Sequence, residues 1–420
     1  MREFYKSLAG LMEIPSVMIE GDETAPFGAA CAKALDYVLE LCSGFGFRTK
    51  KCGNMLGWAE IGEGDEMVGI LAHLDVVPAG NGWDYPAFGQ TEVEVDGEKR
   101  LYGRGICDDK GPAMMSIYSM KKLLDSGEKL TRRIRLIFGL AEERGEWEDM
   151  KYYSEHEELP TFGITPDATF PAVYGEKGIF VMELHMPKAF AGIDAVSGGS
   201  AHNVVPDSCK CEIGGKTYEA AGKSAHGSTP TKGVNAILAC MKQVEAENSC
   251  NLSKFICSCF DEKCDGSLAG CGYSDEESGA LTLNVGVIDV CGDDVVIEVD
   301  IRYPVTFRLE TIRDSLCSAV APYGVTCGQY EHKAPIYTDK NGALITALMG
   351  VYRDVTGDDA EPFVMGGGTY ARAMPNIVAF GPMFLDSPET EHQKNEYMRE
   401  SDLIKARKIY DAALYKMLKL

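Results

Sequence analysis

The apolar positions of this chain change rhythm along its length. From Pro26 to Gly44, Ala29, Ala30, Leu35, Val38, Leu39 and Cys42 recur at the spacing of one helix face. Met67-Val68-Gly69-Ile70-Leu71-Ala72 is instead an unbroken apolar run, short enough for a strand buried on both faces. Gly111 to Ser126 returns to helical spacing through Met114, Met115, Ile117, Met120 and Leu123. Arg133 to Leu140 and Phe162 to Thr165 read as further buried strands, and Met1 to Val17 as an amphipathic helix stopped by Pro15. Helices alternating with apolar strands predict an α/β fold built on a doubly wound, mostly parallel sheet.

From about Gly178 the pattern alternates in the β manner, at Val181 to His185, Leu281 to Ile288 and Val295 to Ile301. The turn residues Gly292-Asp293-Asp294 join the last two, and helices are expected at Gly233 to Glu247 and Leu309 to Tyr323. After about Pro335 the α/β pattern returns, with a helix at Gly342 to Thr356, a strand at Asn376 to Phe380 and a closing helix at Ser401 to Leu420. The simplest organisation is a discontinuous catalytic domain, 1–177 and 332–420, interrupted by an inserted α+β lid, 178–331, with hinges near Gly175 to Gly178 and Lys333 to Pro335.

The 420 residues suffice for more than one core. A net charge of -23 argues against nucleic-acid and anionic-membrane partners, which require basic patches. No window approaches the ~20 apolar residues of a membrane span, and Met1 to Val17 lacks the apolar core of a signal peptide, so a cytoplasmic protein is expected. The fifteen cysteines are scattered, with no C-x-x-C pair. They read as reduced, mostly buried thiols; a zinc site among Cys250, Cys257, Cys259, Cys264 and Cys271 is the weaker alternative.

His73, Glu142-Glu143 and Asp167 each follow a predicted strand, where α/β sheets gather their functional groups. Alone, each has a plainer reading: a structural histidine, or solvated surface charge. Their shared placement is harder to dismiss. Asp108-Asp109, between Gly103-Arg104-Gly105 and a helix, could simply be an N-cap. The glycines there are too few for a phosphate loop. Gly366-Gly367-Gly368-Thr369 suggests a tight turn or close backbone approach to a ligand. His156, His185 and His332 have no supporting context.

Taken in order, the segments His73 to Gly80, Gly103 to Pro112, Glu142-Glu143, Asp167, Ser224 to Pro230, Asp300 to Pro304 and Gly366 to Arg372 resemble the aminoacylase/carnosinase family of dinuclear zinc hydrolases, most of all its PepV-type dipeptidases. The resemblance runs to His392 and implies two divalent metal ions. Asp108 would bridge them, His73 and Asp167 completing one site and Glu143 and His392 the other. Mixed imidazole and carboxylate ligands suit Zn2+, with Mn2+ or Co2+ as alternatives. Asp75 would orient the His73 ring. Glu142 would be the general base, and His226 a donor to the oxyanion. Asn203, Arg302, Gly367, Gly368 and Thr369 would bind substrate. The Asp108–Asp109 peptide would be cis.

Aspartate at 167 and Pro112 fit the dipeptidase branch of the family better than its deacylases. The implied activity is therefore hydrolysis of dipeptides or short peptides. N-acyl-amino-acid amidohydrolysis on the same centre is the near alternative, and an inactive binding protein on this scaffold the distant one. Asn203 falls in the stretch that corresponds to an extra lid lobe in monomeric relatives, which favours a monomer over a homodimer.

Overall fold

The computed structural model describes residues 1–420. It divides into two compact units, Met1–Tyr174 with Thr338–Phe363 and Thr369–Leu420, and Gly175–Tyr337 with Val364–Gly368. That the glycine run Gly366–Gly368 groups with the second unit was not legible in the sequence.

The sheet of the first unit has a parallel heart. Arg133–Gly139, Met67–His73, Phe162–Thr165 and Ile377–Phe380 lie side by side in that order, each parallel to its neighbour. Antiparallel strands flank them, Leu56–Ile61 and Arg48–Cys52 on one side and Ala172–Glu176 on the other. All seven residues of Met67–His73 are buried, as the unbroken apolar run demands. The helix Lys110–Asp125 is buried along almost its whole first eleven positions, which explains its apolar residues on every side. The helices Arg2–Met12, Ala29–Gly44, Ala343–Thr356 and Glu400–Met417 bury one stripe each.

The second unit is an antiparallel sheet of seven strands, ordered Lys216–Ala221, Ser208–Ile213, Ala195–Gly198, Thr282–Cys291, Asp294–Tyr303, Gly178–Pro187 and Thr326–Lys333. Phe180, Met182, Leu184 and Met186 alternate into a core shared with the helices Ala236–Asn248, Asn251–Cys259 and Leu309–Val320. The sequence reading missed the first three strands, which carry few large apolar residues, and the helix Asn251–Cys259, whose Leu252, Phe255, Ile256 and Cys259 are buried at helical spacing.

The cysteines need one correction. Cys317 and Cys327 form a disulfide, against the expectation of free thiols throughout. Of the candidate zinc set, Cys259 and Cys271 are packed into the apolar core, and none of the five joins a cluster of ligating groups.

Candidate metal centre

Three adjacent parallel strands build one wall of the site. His73 ends the central strand and pairs in register with Gly139, three residues before Glu142. On the other side, Ile70 pairs with Ile164, three residues before Asp167. Parallel pairing puts all three carboxyl ends at one sheet edge, so residues far apart in sequence meet there. Asp108 arrives from the loop before the buried helix, through a cis peptide to Asp109. Asp109 stands at the N-cap position but caps nothing: its carboxylate accepts the His73 N–H at 3.0 Å. The N-cap reading is thereby replaced by a tie between the Asp108 loop and the central strand.

Two triads result, His73–Asp108–Asp167 and Asp108–Glu143–His392, each with its ligand atoms within 4.8 Å of one another. Asp108 gives one oxygen to each: Oδ1 lies 2.8 Å from His73 Nε2, and Oδ2 lies 2.9 Å from His392 Nε2. Asp167 Oδ2 is 3.9 Å from His73 Nε2, and Glu143 Oε2 is 3.1 Å from His392 Nε2. Although so close, His73 Nε2 and Asp108 Oδ1 are not aligned as a hydrogen bond, and both buried atoms lack any hydrogen-bond partner. Two buried ligand atoms this close with no hydrogen bond between them are what a cation at ~2 Å from each would organise; in the second triad His392 Nε2 and Asp108 Oδ2 are instead hydrogen-bonded. The donor set fits a divalent metal at both positions.

Charge makes the same demand. Burial, reinforced by the negative charge of Asp108, pushes Asp167 up to about 8. Glu142 is raised well above the usual carboxylate range, first by burial and then by Asp167. Glu143 rises too, through burial and Asp108. Burial also opposes charge on Asp108, but His392 and His73 overcome it and hold that carboxyl well below the usual range. Burial disfavours the imidazolium of His392 as well, yet Asp108 and Glu143 raise it to about 11. In effect, protons on the imidazoles serve as counter-charges among crowded carboxylates, and a divalent cation supplies the same charge by displacing them.

The glutamate loop is held by two buried carboxylates. Asp149 Oδ2 accepts the N–H groups of Leu140 at 2.6 Å and Ala141 at 3.1 Å. Asp75 accepts the next two, Glu142 at 3.2 Å on Oδ1 and Glu143 at 3.1 Å on Oδ2. Four consecutive amides are thus fixed by charged acceptors. Trp147 Nε1 donates to the Glu142 carbonyl, and the Tyr370 hydroxyl to Asp149 at 2.6 Å. This alters the expected part of Asp75. The hydrogen-bond partner of His73 Nδ1 is the backbone carbonyl of Asp75, at 2.9 Å, while the carboxylate stands 3.4 Å off. Sequence reasoning missed Trp147, Asp149 and Tyr370, because nothing in their spacing links them to residues 140–143.

Within the second unit, other expected residues gather. The N–H of Gly227, next to His226, donates to the Asn203 carbonyl at 2.7 Å. His226 Nδ1 accepts the Ser228 N–H at 3.2 Å and lies 2.7 Å from the Ser228 hydroxyl. An Nδ1 that accepts from a backbone amide leaves the proton of a neutral ring on Nε2. Arg302 grips Asp300 through Nε and Nη2, both at 2.7 Å, and donates from Nη1 to the Gly366 carbonyl at 3.3 Å. Three of its five N–H groups are so used, and two remain to donate. Gly367 and Gly368 continue this segment, and Thr369, in the first unit, turns its side chain back on the Ala371 N–H. His202, not singled out from sequence, lies 4.0 Å from Asp300, which raises the proton affinity of the imidazole. The remaining histidines have local partners: His156 the Tyr152 carbonyl, His185 Glu183 and His332 the Tyr303 hydroxyl.

The family model described as Peptidase family M20/M25/M40 matches residues 69–416. A Staphylococcus aureus (strain MRSA252) protein named "Putative dipeptidase" is 34% identical over 464 aligned positions, covering 99% of this chain and 97% of the relative. Among solved structures, human carnosine dipeptidase 1 superposes with a TM-score of 0.69 at 16% identity, covering 100% of this chain and 96% of that one. The Sulfolobus solfataricus metallo-carboxypeptidase Sso-CP2 gives 0.66 at 19% identity, with both chains covered fully. At such identities these two structures speak for the fold, while the match along residues 69–416 and the full-length relative show the lineage: the chain belongs to peptidase family M20/M25/M40.

Proposed function

We propose that this protein is a metal-dependent dipeptidase, with His73, Asp108 and Asp167 holding one divalent cation and Asp108, Glu143 and His392 a second. The observation that carries the reading is the pair of triads sharing one carboxylate, with His73 Nε2 and Asp108 Oδ1 of the first buried and without a hydrogen-bond partner. Zinc suits the mixed imidazole and carboxylate set best. When bound, such cations act as Lewis acids, polarising a scissile carbonyl and making water acidic enough to attack at neutral pH.

The chain's own groups supply the rest. Glu142 is the general base: it takes a proton from the attacking water and delivers it to the leaving amine as the C–N bond breaks. Asp75 fixes the peptide of Glu142, and Trp147 its carbonyl, so the carboxyl is presented from a rigid backbone. The Ser228 amide donating to Nδ1 puts the proton of a neutral His226 ring on Nε2, the nitrogen that would donate to an oxyanion. The two free N–H groups of Arg302 suit the C-terminal carboxylate of a short peptide, and the Asp300 fork keeps the guanidinium in one orientation. Asn203 and the Gly367–Thr369 backbone complete the substrate contacts.

The name carried by the full-length relative supports the substrate class. We read the protein as a monomer rather than a homodimer, because Asn203 lies in the stretch that corresponds to the extra lid lobe of monomeric relatives. No helix is long and apolar enough to cross a membrane. The deciding experiment is a zinc-replete activity panel of free dipeptides against N-acetyl and N-succinyl amino acids. Turnover concentrated on free dipeptides is expected, and preference for the acylated substrates would overturn the reading.

A further inference from the structure

Glu396 takes no part in the chemistry above, yet it is wholly buried four residues beyond His392. Its Oε2 accepts from Arg104 Nη1 at 2.6 Å, and its Oε1 from the N–H groups of Gly105 at 3.1 Å and Cys107 at 3.0 Å. Its backbone carbonyl accepts the Gly103 N–H at 3.0 Å. The residue after Cys107 is Asp108. One side chain thus joins the loop that ends in the bridging carboxylate to the segment that carries His392. These bonds also occupy amides that a phosphate would need, which removes that reading of Gly103-Arg104-Gly105.

His392 has few other restraints. It sits at φ 60°, a left-handed conformation that non-glycine residues seldom hold unaided. The other ties of its segment include the mutual Thr390–Tyr397 bonds, the turn bond from the Gln393 N–H to the Thr390 carbonyl, the exposed Asp84–Asn395 pair and the Cys107 thiol, a weak donor, to the Tyr397 carbonyl at 3.3 Å. The first triad is held differently. His73 and Asp167 are set by paired strands, and Asp108 is tied to His73 through Asp109. We infer that Glu396 is a positioning residue that sets the Asp108–His392 spacing and thereby governs the affinity of the second cation site alone. The inference rests on the two-cation reading given above.

The test is stepwise Zn2+ titration of metal-free protein against a chromophoric chelator, with circular dichroism and thermal unfolding of the same samples. The parent should take two equivalents. Glu396→Gln should bind the first with its parental Kd and the second 10- to 100-fold more weakly, the range typical of residues that support metal ligands. Glu396→Asp keeps the charge but is one methylene shorter, and should fall between the two. A role confined to stability would weaken both equivalents together, or lower the melting temperature while leaving both constants unchanged; either result overturns the inference. If Glu396→Gln fails to fold because Arg104 is stranded in the interior, Arg104→Met combined with Glu396→Gln removes that cation and is judged by the same two constants. A parent that binds no zinc would refute the cation reading itself, which is a different result from a variant that binds two equivalents normally.

Discussion

Replacing Asp75 with asparagine separates two accounts of how this carboxylate serves the site. In one it orients the His73 ring; in the other it holds the backbone of Glu142 and Glu143. The distances favour the second, with 3.2 and 3.1 Å to the two amides against 3.4 Å to the ring nitrogen, which already has the Asp75 carbonyl at 2.9 Å. Asparagine is nearly isosteric but has only one acceptor atom. One amide keeps a neutral bond, while the other faces an NH2 group and is left unpaired. A hydrogen bond to a charged group contributes about 1.5–3 kcal/mol, and a stranded buried donor costs about 1–3 kcal/mol. The local loss is therefore on the order of 2–4 kcal/mol. If half of it, about 1–2 kcal/mol, appears as misplacement of the two glutamates, kcat falls roughly 5- to 30-fold, at about 1.4 kcal/mol per decade. The assay pairs dipeptide kinetics with stepwise zinc binding. Asp75→Asn should lower kcat and weaken the site containing Glu143, and spare the site containing His73. Selective weakening of the His73 site would refute the backbone account, as would parental kcat with both zinc constants unchanged.

Glu142→Gln should retain two zinc ions and lose about 10²–10⁴ of turnover, since it removes a base and no ligand; kcat near the parental value in metal-replete protein would dismiss that role. His226→Ala should lower kcat by about 10²–10³ with zinc content intact, as measured by steady-state kinetics and metal analysis, and an unaltered kcat would remove the histidine from the mechanism. Asp149 gives a pH signature in the metal-free protein. Burial raises its carboxyl from 3.8 to about 6, so folding favours the protonated form. That contribution to stability is complete below about pH 3.8 and is lost as pH rises through about 6, a change on the order of 3 kcal/mol at about 1.4 kcal/mol per pH unit. Urea unfolding of the parent and of Asp149→Asn should show the parent losing ground to the variant between pH 4 and 7; a difference independent of pH would contradict the assignment.

The sequence carried the parallel heart of the first sheet almost residue for residue, because strands buried on both faces need unbroken apolar runs such as Met67 to Ala72. It also carried the five residues that meet in the two triads, through their common placement after strands or turns and the order of their motifs. It did not carry the supporting groups. Asp149 was indistinguishable from a solvated charge near a helix start, and Glu396 from one of many acidic residues, because their meaning lies in which amides they face. The strands Ala195–Gly198, Ser208–Ile213 and Lys216–Ala221 escaped for a related reason. Four of the six residues of Ser208–Ile213 and five of the six of Lys216–Ala221 are not buried, so few large apolar side chains mark these strands.

Asp108 lends one oxygen to each triad, and a carboxylate has only one orientation at a time. Whatever fixes it for the first ion prepares it for the second, so the two affinities are thermodynamically linked and the linkage is reciprocal. Two dications about one carboxylate also repel, so loading should be stepwise: as free zinc falls, the weaker site should empty first and leave a singly filled molecule. Activity would then be lost with that ion alone, while the other still holds its place.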